Sequence, residues 1–400
     1  MKKQLVSILT AGCLMAAMVP AAFAADTNDL QEQINNAPAG STVTLSADTT
    51  ITDTLVIDKA LTLNGNKNTL TFDGSGYAIQ VTTDAEVNVT NLTVEAEASG
   101  GRGIEITSTN PHFKLCGSTL DVNNRGIGFA DKGTTAGAEV TIKNSTIQSS
   151  LKPDDKTYEN WSHQGDSRGI GFWDNKGLTM NITGSKILGF GYPINMSGNA
   201  VDGVRDMKDA TINITDSDIW GWCAMNIWTI NTTFNITNSN LKGFVETDNS
   251  WNSFATVVLN EDIYGNLTPD DEDSAEYANV FNISGGSVSS TCVSNNQNVF
   301  HCLFRLDKEF MSEFHFNAYE FNPVFLSCNS PFSAFVMTYD GMTMDDFKTW
   351  AKNKLTLEDE SVIYDKGIAP GVGISPAIAI AEDSPEFNYA EGGHEGGFNQ

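Results

Sequence analysis

VNVTNLTV, starting at Val87, is written again as FKLCGSTL from Phe113, VTIKNSTI from Val140, MNITGSKI from Met180, INITDSDI from Ile212, FNITNSNL from Phe234 and FNISGGSV from Phe281. In each copy apolar and polar residues alternate at period two, which sends one set of side chains inward and the other outward, as in a half-buried strand. The fifth column is Asn91, Gly117, Asn144, Gly184, Asp216, Asn238 and Gly285. These residue types enter a left-handed backbone cheaply, so each copy bends sharply at the same place. Starts fall 26, 27, 40, 32, 22 and 47 residues apart. The shorter gaps set one coil of three short strands, and the longer ones carry insertions. The pattern predicts an all-β parallel β-helix.

Outward from that core, the flanks predict covers for the open ends. Exposed strand edges template aggregation, and helices or loops commonly cover them. Residues 25–41 form the first cap: Asn28 or Asp29 as N-cap, Leu30, Ile34 and Ala37 on one stripe, and Gly40 beyond the end. Near the other end Thr343 and Asp346 make a capping-box pattern ahead of Phe347, Trp350, Ala351 and Leu355, which predicts a helical cap within 331–366. The solenoid is expected over 42–330, with insertions near 149–166 and 246–278. Residues 367–400, rich in Gly and Pro, are expected as a flexible tail.

The first 24 residues show Lys2 and Lys3, an apolar stretch from Leu5 to Val19, then Ala22-Phe23-Ala24. That is the pattern of a cleavable secretory signal, so the product is expected to be secreted or held at the cell surface. An alternative reads LTAGC as a lipidation site at Cys13, against which Thr10 stands where a large aliphatic residue belongs. Cleavage leaves 21 basic and 50 acidic residues, a net charge of −29. Such a field repels nucleic acid and anionic lipid, and no later run has the roughly 20 apolar residues that span a bilayer. Neither nucleic acid nor membrane insertion is expected.

Five cysteines remain after cleavage. Cys302 and Cys328 lie 26 residues apart, about one coil, which would stack them as neighbours able to bridge; buried free thiols are the competing reading. His112, His163, His301, His315 and His394 have no spacing that fixes a transition metal.

The segment Thr42–Phe72 alternates strongly; Ala-Gly-Ser-Thr-Val-Thr-Leu from Ala39 runs into its start, and Leu-Thr-Leu-Asn-Gly lies within it. A short helix followed by these strands resembles the opening of right-handed β-helix proteins of the pectate-lyase-like superfamily. That resemblance is architectural and covers about residues 26 to 330. The superfamily includes lyases, hydrolases, esterases, tailspikes and adhesins, so the fold leaves the function open. Its polygalacturonase-like enzymes carry an Asp pair and a Gly-His-Gly; no Gly-His-Gly occurs here, and Asp154-Asp155, Asp270-Asp271 and Asp345-Asp346 sit in insertions or the cap. The pectate-lyase template, with an Arg base and carboxylate-held calcium, would cast Arg168 as base, Asp166 and Asp174 beside it as reactive groups, and Asp131, Asp166 and Asp174 as calcium ligands.

A second column precedes the first. GGRGIEI, NNRGIGFAD and DSRGIGFWD place Arg102, Arg125 and Arg168 at equivalent positions, in a vertical row. Cations stacked about 4.8 Å apart repel by about 3 kcal/mol at an effective dielectric near 20, so counter-charge is needed. It comes either from Glu105, Asp131, Asp166 and Asp174 in an internal salt-bridge ladder or from a polyanionic ligand such as a uronate chain, which guanidinium groups grip bidentately. Trp173, Tyr192, Trp228 and Trp251 fall near this row, where rings either stack on sugar faces or pack between insertion and coil; Trp220 is expected to pack against a coil. Phe113, Phe234, Phe281 and Phe314 lead repeats and are expected inside. Two functions follow: an extracellular polysaccharide- or glycan-binding module, or a polysaccharide lyase or glycoside hydrolase acting on an acidic polysaccharide.

Overall fold

In the computed structural model the described residues are 30–129, 137–150, 167–172, 175–196, 208–245, 253–259, 278–292, 300–306, 312–316, 324–328, 336–338, 355–356, 363–365, 377–380 and 387–389. Their strands form three sheets of 11, 11 and 12 strands, each sheet taking every third strand of the chain over most of its length. Neighbours pair in parallel, save for two antiparallel pairings near the C-terminal end. The chain is a right-handed parallel β-helix.

The seven copies fall in one column of the first sheet, here sheet A. Val87, Phe113, Val140, Met180, Ile212, Phe234 and Phe281 are successive partners, and Phe314 follows. All are buried. The rings of Phe234, Phe281 and Phe314 stack at centroid distances of 4.4 and 4.8 Å, the expected interior column. The outward Asn between them also stacks: Asn213, Asn235 and Asn282 each donate an amide hydrogen bond of 2.8 Å to the Asn one rung below, starting from Asn181. These Asn-x-Ser/Thr triplets are therefore occupied in a structural ladder.

The fifth column bends as the residue types require, with φ between 49° and 64° from Asn91 to Gly285. The following Ser has its own physical cause. The N–H groups of Leu92, Ser118, Ser145, Ser185 and Ser217 donate to the hydroxyl of Ser118, Ser145, Ser185, Ser217 and Ser239 respectively, at 3.1–3.2 Å. Each of these hydroxyls donates in turn to the carbonyl two residues before it. A bend that would orphan a buried N–H in every coil is thereby satisfied by a serine ladder. The turn from sheet A to the second sheet, sheet B, has two residues in every coil from Asn91 to Gly286.

The N-terminal helix is Leu30–Asn36, with Leu30 and Ile34 buried over the first coil. Its Gln31 amide accepts from Val56 N–H at 2.7 Å and donates to Val56 C=O at 3.0 Å. One side chain thus supplies the edge strand Leu55–Ile57 with the pair of bonds a neighbouring strand would give. Gln31→Ala is expected to cost about 1–2 kcal/mol in urea denaturation and to raise aggregation in light scattering, because it reopens that edge.

Three expectations change, and a fourth falls largely on residues outside those described. Ser253–Leu259 lies inside the stretch expected to be one insertion, yet it is a full rung of the third sheet, sheet C, between Met225–Ile227 and Phe300–Leu306. Ala377–Ile380 and Phe387–Tyr389, within the expected tail, pair with Val336–Thr338 and Val324–Cys328. Cys302 lies in sheet C and Cys328 in sheet B, so they are not vertical neighbours; the coil there has grown to 32 residues, from Phe304 to its partner Val336. The expected cap helix lies largely outside the described residues, which take up again there with the strand Leu355–Thr356.

Candidate functional site on sheet C

Over the coils from Asn91 to Gly286, where the turn from sheet A to sheet B is constant, the connections of variable length are those that enter and leave sheet C. Entering connections run from one residue, between Phe190 and Tyr192, to 18, between Ser149 and Arg168; leaving ones reach 20, between Leu259 and Val280. Loops on a rigid scaffold are where binding residues gather, which marks the outward face of sheet C. Asp131, Asp166, Trp173, Asp174 and Trp251 all belong to these connections and lie outside the described residues.

On that face Arg102, Arg125 and Arg168 are successive register partners, as the sequence repeat requires. Tyr77 precedes Arg102 in the column and Tyr192 follows Arg168, so a tyrosine closes the row at each end. The Arg102 guanidinium lies over the Tyr77 ring, 5.3 Å from its centroid. Tyr192 meets the edge of Trp222 at 5.6 Å. Arg102, Arg125 and Tyr192 are half-buried, whereas Arg168 is only 8% exposed.

The two glycines of the Arg-Gly-Ile-Gly phrase have different jobs. Gly103, Gly126 and Gly169 face inward, where an added Cβ would run into the backbone carbonyl of Gly126, Gly169 and Pro193 respectively. The coil is pinched behind the arginine row. Gly128 and Gly171, adjacent rungs, instead face outward. The Tyr77 hydroxyl occupies the place of a side chain at 128, having crossed the Arg102 rung, and the stem of Arg168 lies 3.3 Å from the Cβ position of 171.

The rest of the face is polar and internally bonded. Gln80 donates to the Glu105 carboxylate at 2.6 Å. Asn226 donates to Asn195 at 2.7 Å, and the indole N–H of the half-buried Trp228 donates to Asn226 at 3.1 Å. Trp220 and Trp222 are buried at 7% and 4%. Among the described residues Arg102 makes no ion pair, so the internal salt-bridge ladder does not extend to it through Glu105, whose partner is Gln80. No group of three metal-ligating side chains occurs among the described residues, and none of their helices is long and apolar enough to cross a membrane.

Tyr77 escaped the sequence reading although a signal exists. GYAIQV from Gly76 has the frame of GRGIEI from Gly101, with Tyr in the arginine column.

No family model and no curated protein matches the chain. Solved structures with similarity include the Geobacillus virus E2 protein ORF18, at 9% identity and a TM-score of 0.33 over 71% of this chain. The Dettilon tailspike protein gp208 follows at 12% identity and a TM-score of 0.31 over 76%. The chain spans 57% and 65% of their respective lengths. These likenesses concern the coil alone; the fold stands on its own three sheets.

Proposed function

We propose that the protein is exported and that the outward face of sheet C binds extracellular polysaccharide or glycan. The observation that carries this reading is the arginine column closed by Tyr77 and Tyr192 on the face that all the long connections border. Guanidinium groups supply directional donors for sugar oxygens and carboxylates, and the half-buried Tyr192 ring supplies flat apolar surface for a sugar face, while Tyr77, buried at 8%, lies beneath the Arg102 guanidinium. The enzyme alternative asks Arg168 to meet substrate as a base, and its burial with its stem over Gly171 weighs against that role.

The test is affinity electrophoresis of the whole protein through gels holding neutral or acidic polysaccharides, with and without calcium. Ultraviolet absorbance of unsaturated products and reducing-end release are followed in parallel. Retardation without turnover is expected, and Tyr192→Ala should weaken it about tenfold, as for an aromatic anchor. Chain cleavage lost in Arg168→Ala would instead establish the lyase or hydrolase.

A further inference from the structure

We infer that the outward face of sheet A from Thr179 to Ser284 is a second binding surface, and that its ligand is the surface of ice. It is independent of the sheet C site and of the glycan-binding reading.

The strands Thr179–Thr183, Thr211–Thr215, Thr233–Thr237 and Val280–Ser284 pair residue for residue at all five positions, with no shift of register. Their outward positions read Thr-Asn-Thr in the first three and Val-Asn-Ser in the fourth, all of them half-buried or exposed. The stacked strands thus present a grid of short polar side chains. That grid is stiff. Asn213, Asn235 and Asn282 each donate to the Asn one rung before at 2.8 Å, which holds the amides in line, and threonine is restricted at χ1 by its branched Cβ. Little freedom is left to lose on binding.

The grid is also free of charge, in a chain with 23 basic and 50 acidic residues. One rung before it the same columns hold Glu139 and Lys143, and one rung after it Glu313 and His315. A charged group gives up hydration that a neutral lattice cannot replace, so a neutral face is the complement of ice. Adjacent rungs stand about 4.8 Å apart, and outward residues along one strand about 6.7 Å apart. Water oxygens on a prism face of hexagonal ice repeat in a rectangle close to these two lengths. Hydroxyl and amide groups therefore meet lattice positions in both directions at once, and many weak contacts add.

Threonine also favours exposed strands for its own sake. On sheet B, Thr69, Thr93, Thr119 and Thr146 are successive partners, but the next outward column there carries Glu95 and Asp121. That row lacks a neutral second dimension and serves as the control.

Ice grown slowly on a cooled probe in a solution of the fluorescently labelled whole protein tests this, together with the shape of a single ice crystal held just below its melting point. The protein should be taken up into the ice, and the crystal should become faceted. Thr211→Lys and Thr215→Lys, one in each threonine column, should each lose both effects at unchanged circular dichroism and melting temperature, while Thr119→Lys on sheet B keeps them. Exclusion of the unaltered protein from ice would overturn the inference whatever the variants do. So would uptake that survives both sheet A substitutions, or that Thr119→Lys abolishes equally.

Discussion

Gly126→Ala is expected to destabilise the coil by about 3 kcal/mol or more in urea denaturation, at the top of the range for overpacked interiors, because what meets the new methyl group is the backbone carbonyl of Gly169 as well as the Ile147 side chain. Gly128→Ala, two residues on in the same strand, should cost less than about 1.5 kcal/mol. There the obstacle is the tip of Tyr77, a side chain able to swing aside. Combining Gly128→Ala with Tyr77→Phe should recover part of that loss, since the hydroxyl and the methyl group compete for one space. Equal costs at the two glycines would mean that the coil is not pinched behind the arginine row.

The second large effect is expected at Phe281, whose ring is sandwiched between Phe234 at 4.4 Å and Phe314 at 4.8 Å. Phe281→Ala removes a fully buried ring and leaves two faces without partners, for a cost of about 3–5 kcal/mol. In a solenoid each coil touches only its neighbours, so the damage should stay local. Hydrogen exchange should accelerate in Thr233–Thr237, Val280–Ser284 and Glu313–Phe316 while Glu86–Thr90 keeps its protection. Uniform acceleration along the chain would show one cooperative unit in place of stacked rungs.

What could be read in the sequence was whatever recurs. The interior column from Val87 to Phe281, the left-handed column from Asn91 to Gly285 and the arginine row all repeat with each coil, and all three meet in register. Repetition converts a weak local preference into a pattern that only stacking explains. The misses are places where the repeat is broken or its residue exchanged. Tyr77 holds an arginine position with a different side chain, and its partnership with Gly128 crosses a whole rung, which no local pattern carries. Ser253–Leu259 is a strand bounded by long connections, so its spacing matches no coil. The Ala377–Ile380 strand pairs antiparallel, outside the solenoid's own rule. Cys302 and Cys328 were placed by a coil length that the chain had already outgrown.

Burial was also beyond the sequence. Arg102, Arg125 and Arg168 have the same local text, and only the coordinates separate a cation stacked on Tyr77 from one laid over Gly171. That difference sets how much of each side chain reaches solvent.

The arginine column itself is open to one direct measurement. In the double variant Arg102→Cys/Arg125→Cys the two new thiols would sit on adjacent parallel rungs, with Cα atoms within the 4.4–6.8 Å that a disulfide spans. Mild oxidation followed by peptide mass spectrometry should find the 102–125 crosslink within single chains at high yield, and the pair Arg102→Cys/Asn213→Cys, which joins sheet C to a distant rung of sheet A, should give none. Absence of the 102–125 crosslink in folded protein, or its appearance only between chains, would contradict the stacked register and with it the arginine column on that face.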